Sequence, residues 1–186
     1  MKKRIIVLRN PLPFPTGNGF FFFLCLVVLN AGKLMGQEKT IDGTAFRLLL
    51  SGLLSHDVPE LSVDSAKHKL ENSELTFLDA RGRQEFEVSH IQGAHWVGYE
   101  DFSLNRVKEI PKDKPIVVYC SIGKRSEDIT KKLRDAGYKD VSNLYGGIFE
   151  WVNRAYPVVK NEQPTDSIHG YSKMWSVWLK RGKIVY

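Results

Sequence analysis

The apolar run Ile116-Val117-Val118-Tyr119 passes directly into Cys120-Ser121-Ile122-Gly123-Lys124-Arg125-Ser126 and then into a helix-period segment from Glu127 to Ala136. A strand, a tight loop and a helix in that order restrict the fold, because such a unit builds parallel strands with crossovers packed on the sheet. The same alternation runs along the chain. Thr44 to Ser55 is a leucine-rich helical segment with Thr44 as its expected cap, and Pro59 to Val63 is extended. Ser62 or Asp64 caps a helix that runs through Leu70, and Leu75 to Leu78 is a strand ending at Asp79. A short helix from Gln84 to Val88 precedes His90 to Val97, which turns into a further strand. Residues 99 to 110 form a mixed connection, with a helical turn or two from Asn105 to Ile110. Val141 to Leu144 is the final strand, Gly146-Gly147 a turn, and Ile148 to Asn153 a helix carrying Trp151. The expected class is α/β, a central parallel sheet with helices on both faces.

The 186 residues suffice for one globular domain of ordinary size. A formal charge of +6 suggests a polyanionic partner, but its placement argues otherwise. Residues 1 to 36 hold five basic residues and no acid, which leaves 22 cations against 21 acids in the rest. No nucleic-acid partner is expected. The first residues read instead as an address: a basic start, the apolar run Phe20 to Leu29, then small and polar residues. That run is ten residues long, where a spanning helix needs about 20. Cleavage after Gly36 is expected, giving an exported and periplasmic protein with no stable membrane span; an uncleaved anchor is the alternative.

Removing the leader leaves Cys120 as the sole cysteine, so no internal disulfide forms. Its position after a strand and before a helix places it at the positive end of the helix dipole, among loop amides and beside Lys124 and Arg125. These features favour the thiolate, the nucleophilic form of cysteine. In open parallel sheets, ligands bind beyond the carboxyl ends of the strands. Asp79 and Cys120 each follow a strand, so both belong at that edge, with Arg81 nearby. Arg81 and Glu85, four apart, read as a structural ion pair. The five histidines make no close ligand pair and a lone cysteine makes no zinc set, so no metal is expected.

The segments Leu78-Asp79-Ala80-Arg81 with Glu85-Phe86, His90-Ile91-Gln92-Gly93-Ala94, the Cys120 loop, and Leu144-Tyr145-Gly146-Gly147 with Trp151 follow one another in the order of a known family. From about Pro59 to Val159 the chain resembles a single rhodanese-like domain, a sulfurtransferase module. The divisions expected are a signal peptide over 1–36, an N-terminal helical extension over 37–57, the rhodanese-like domain over 58–160 and a C-terminal amphipathic tail over 161–186.

The resemblance implies a two-step transfer without a cofactor. Cys120 takes the outer sulfur of a donor anion such as thiosulfate and becomes a persulfide, and an acceptor, cyanide or a thiol, on a small molecule or an acceptor protein, removes it. Amides from Ser121, Ile122, Gly123, Lys124 and Arg125 would form a nest for the extra sulfur, with Gly123 permitting the turn. Arg125 would hold the donor's oxygens, Lys124 would act as a steering charge, and Ser126 would bond within the loop or start the helix. Asp79 and Arg81 match positions that shape the pocket edge. Phosphatases of this fold place one residue more between cysteine and arginine than the four found here, so phosphoryl transfer is the lesser enzymatic reading. A binding or sulfur-carrier module without turnover is the non-enzymatic alternative. The tail has Tyr171, Met174, Trp175 and Trp178 at helical spacing. That pattern reads as an amphipathic helix docked on the domain, or as a lid or dimer contact.

Overall fold

The computed structural model describes residues 43–72 and 74–186. The expected leader, its cleavage point and the polar stretch from Gln37 lie outside the described residues. The main sheet is five-stranded and parallel, built from β1 (Glu60–Leu61), β2 (Thr76–Asp79), β3 (His95–Trp96), β4 (Ile116–Tyr119) and β5 (Val141–Leu144) in the order β1-β5-β4-β2-β3. The class expected from the strand and helix alternation is therefore the one observed. No described helix is long and apolar enough to cross a membrane.

Alternation along the central strands builds two cores. Phe77, Val117 and Tyr119 face one side, where α1 (Gly43–Leu53), α2 (Val63–Glu71) and α5 (Gly147–Asn153) pack. Leu78, Ile116 and Val118 face the other, against Ile129 and Leu133 of α4 (Lys124–Asp135). Side chains in a strand point alternately to the two faces, and both faces are covered, so β4, Ile116-Val117-Val118-Tyr119, reads as an unbroken apolar run. A short α3 (Arg83–Val88) lies between β2 and β3, and the 99–110 connection holds one 3₁₀ turn, Leu104–Arg106.

Three boundaries differ from expectation. Helix α1 already includes Gly43, so Thr44 lies inside it and is not the cap, whereas Ser62 caps α2 by accepting the Ser65 amide. Phe46 and Leu50 of α1 are buried in the same core as Trp151, so residues from Gly43 onward are part of the domain and not an extension to it. The expected border at 160/161 falls inside a hairpin of β6 (Val158–Lys160) and β7 (Gln163–Thr165). Its two turn residues, Asn161 and Glu162, both have positive φ, which suits the right-handed twist of a two-residue hairpin.

The C-terminal segment is not the amphipathic helix expected from its aromatic spacing. It consists of β8 (Ser167–His169), a 3₁₀ turn at Ser176–Trp178 and β9 (Lys183–Val185), with β8 and β9 paired in parallel. Tyr171 sits at φ 60°, a left-handed conformation that ends helical winding, and Gly170 N–H donates to the Val185 carbonyl. Tertiary contacts then outweigh periodicity. Trp178 stacks on Phe46 at 5.4 Å, and its carbonyl accepts from Asn153 of α5.

Candidate active site

Cys120 lies at the carboxyl end of β4, 1% exposed, and the loop behind it turns at Gly123, φ 110°, before α4 starts at Lys124. The positive φ is one a β-carbon resists, and it aims the Gly123 N–H at Cys120 Sγ, 3.2 Å away. The loop is held from three sides. Asn143 of β5 donates to the Gly123 carbonyl at 3.0 Å, and Ser126 Oγ lies 2.7 Å from Asn143 Oδ1 and 3.1 Å from that carbonyl. From α5, the amides of Ile148 and Phe149 donate to the carbonyls of Cys120 and Ser121 at 2.9 and 3.0 Å.

Glu85 forms the third attachment, and the structure corrects its partner. Its carboxylate accepts Arg125 Nη1 and Nη2 at 2.8 and 2.9 Å, Ser121 Oγ at 3.0 Å and the Gly82 amide at 2.9 Å. Arg81 instead pairs with Asp79, with Nη2 on Oδ2 at 2.6 Å and Nε 3.0 Å from Oδ1. The expected Arg81–Glu85 ion pair does not form, because Arg81 precedes α3 and four-residue spacing then does not place the two side chains on one helix face. Asp79 and Arg81 are fully buried behind the loop, and neither lines the cleft over Cys120.

Burial works against an ionised Glu85, but the Arg125 hydrogen bonds and charge, then Arg81 and the Gly82 amide, hold its carboxyl below the ordinary 4.5. The same pairing raises Arg125: burial opposes its charge, while Glu85 and Cys120 favour it. A lowered carboxyl contributes stability that is present above the unfolded value and is lost as pH falls through the folded one. We expect urea midpoints to drop as pH falls below 4.5, and Glu85→Gln to make that drop shallower. A Glu85→Gln profile as steep as wild type would refute this. Some slope should survive in the variant, because Glu127 is also held low against its burial, by Lys124 and the amides of Ser55 and His56.

The cleft over Cys120 has a volume of about 160 Å³ and is lined by Leu53, Ser121, Ile122, Lys124, Arg125, Tyr171 and Trp175. Arg125 stacks beneath Tyr171, 4.8 Å from the ring centre. Lys124 is engaged by Glu127 at 2.9 Å, and Ser126 is wholly buried under the loop. The tail wall is anchored by His169, whose Nδ1 accepts the Tyr171 amide at 3.0 Å. Burial first, then Arg81 and Arg125 against Glu85, holds His169 below the ordinary 6.5, in the neutral form that can accept. Sequence reading did not assign Asn143, Gly147, Leu53 or Trp175 to the site, and it gave Glu85 another partner. Two of these carried a signal: Trp175 through the reading of the aromatic tail as a lid, and Gly147 through its place in the segments that follow the family's order.

Fold and loop together define an α/β domain with a buried cysteine in a strand-to-helix loop at the carboxyl edge of a parallel sheet. The rhodanese-like domain model matches residues 62–154, 93 of the 186, and the chain belongs to that family. It is similar to a sulfurtransferase of Allochromatium vinosum, 33% identical over 106 residues, covering 56% of this chain and 98% of that one. It is also similar to Bacillus subtilis YrkF, described provisionally as a sulfur carrier, 30% identical over 98 residues and 52% of each chain. The adenylyltransferase and sulfurtransferase UBA4 of Meyerozyma guilliermondii is 33% identical over 141 residues, 64% of this chain and 33% of that one. The chain therefore spans about half or less of several curated relatives. A solved rhodanese-like domain from Anabaena sp. superposes with a TM-score of 0.51 at 29% identity, covering 55% of this chain and 79% of that one.

Proposed function

We propose that the protein is a sulfurtransferase that carries sulfur as a Cys120 persulfide. The observation that carries this reading is the Gly123 amide on Cys120 Sγ, in a loop pinned from β5, α3 and α5 and facing a cleft. A thiolate there attacks the outer sulfur of a donor such as thiosulfate, the bond to the leaving group breaks, and sulfite departs. The persulfide's outer sulfur then passes to cyanide or a thiol, which restores the Cys120 thiolate. Loop amides stabilise the charge on the added sulfur. Arg125 supports the loop through Glu85 and Ser121 and adds positive charge beside the sulfur. The four-residue spacing from Cys120 to Arg125 supports a sulfur site over a phosphate site.

Intact-mass spectrometry of the purified full chain, before and after thiosulfate, tests the reading. Wild type should gain one sulfur atom that cyanide removes, and Cys120→Ser should gain none. No cyanide-labile sulfur on Cys120 from thiosulfate or any organic donor would overturn it. A carrier module without turnover is favoured by a specific observation, the near-complete burial of Cys120 beneath Tyr171 and Trp175. Its mark is loading without multiple turnovers when acceptor is in excess. We also propose that residues 1–36 direct export to the periplasm and are removed, which the same mass measurement on protein recovered from a secreting host reads directly.

A further inference from the structure

We propose that the C-terminal segment makes the Cys120 cleft selective for an organic sulfane-sulfur donor with an apolar arm, in preference to a small inorganic dianion. This deepens the persulfide reading and rests on it. Leu53 of α1, Ile122 of the loop, and Tyr171 and Trp175 of the tail give the cleft apolar walls around the thiol. The two aromatic walls come from residues outside the 62–154 segment that matches the family.

The charges at the cleft are already partnered. Both terminal nitrogens of Arg125 are bound to Glu85, one of them also to Ser121, and the Tyr171 ring covers the guanidinium. Lys124 is held by Glu127. A dianion would have to enter an apolar slot while competing with buried carboxylate for its cations, and an unpaired buried charge is costly. A monoanionic organic thiosulfonate, R–SO2–S⁻, keeps its charge at the reacting end and places R against the aromatic walls, where apolar area is removed from water.

The step balances without an oxidant. The Cys120 thiolate attacks the outer sulfur, a new S–S bond forms, and the bond to the sulfonyl sulfur breaks with its electron pair leaving on RSO2⁻. Cys120 is left as Cys–S–S⁻, and the total charge is unchanged.

The test compares benzenethiosulfonate with methanethiosulfonate on the full chain, each loading rate divided by that donor's rate with free cysteine. Wild type should favour the aryl donor by at least about 10-fold. Trp175→Ala should reduce that preference to below about 3-fold. Tyr171→Asn gives an independent reading if the tryptophan variant misfolds, because asparagine tolerates the positive φ at that position; it too should lower the ratio. Loading of wild type with no aryl preference, or a preference unchanged in both variants, overturns the selective slot and leaves the transferase intact. No sulfur on Cys120 from either thiosulfonate or from thiosulfate overturns both.

Discussion

Gly147→Ala is expected to slow sulfur loading of Cys120 by about 100-fold or more, with the protein still folded. Gly147 has φ +58°, and a β-carbon there would meet the Cys120 carbonyl oxygen at 2.4 Å, the Ile122 nitrogen at 2.7 Å and the Ser121 carbonyl carbon at 2.7 Å. All three are backbone atoms of the cysteine loop, so relief requires that loop to move away from α5. The hydrogen bonds from Ile148 and Phe149 to Cys120 and Ser121 stretch as it does. A misplacement near 1 Å at a reacting centre costs about 100-fold in rate, and the left-handed conformation adds about 1 to 2 kcal/mol of instability for alanine. Loading rate by mass spectrometry, beside a urea melt, separates the two effects. Loading within a few-fold of wild type in folded protein would show that the loop does not depend on this close approach.

Asp79→Asn should be the more damaging change to stability. Arg81 is completely buried; its guanidinium reaches Asp79 through Nε and Nη2 and the Ser89 carbonyl through Nη2 at 2.6 Å. Burial opposes the Arg81 charge, and the Asp79 carboxylate leads the groups that raise its pKa against that burial. Asparagine keeps the shape and removes the countercharge. Leaving a buried ion without its partner costs about 3 to 5 kcal/mol, a large share of the roughly 5 to 15 kcal/mol of a typical domain. The melting temperature should fall by roughly 10 °C. Asp79→Asn combined with Arg81→Met should recover part of the loss, since an apolar pair carries no stranded charge. A double variant no more stable than the single one would mean that Arg81 contributes mainly by packing.

Much of this protein is legible from local pattern. A parallel strand buried on both faces reads as an apolar run, and β4 stands where that run predicts it. The chemistry of the loop is local in the same way: a strand end, a glycine with positive φ and a helix start are contiguous in sequence, so their meeting at Cys120 needs no distant residue. The pairing of Glu85 is different. Its spacing from Arg81 suggested one partner, yet the carboxylate meets Arg125, forty residues away, because α3 faces the cysteine loop across the sheet edge.

The tail shows the limit most clearly. Tyr171, Met174, Trp175 and Trp178 satisfy a helical period, but periodicity has force only when one face is buried along its length. Met174 is 70% exposed, Trp178 turns onto Phe46, and Tyr171 and Trp175 turn toward the cleft. Sequence alone determined the central strands, the cysteine loop and the position of Cys120 at the strand end, since each follows from neighbours in the chain. The tertiary structure alone decided which carboxylate holds Arg125, which glycine presses on the loop and what walls the cleft, because those contacts join segments separated by tens of residues.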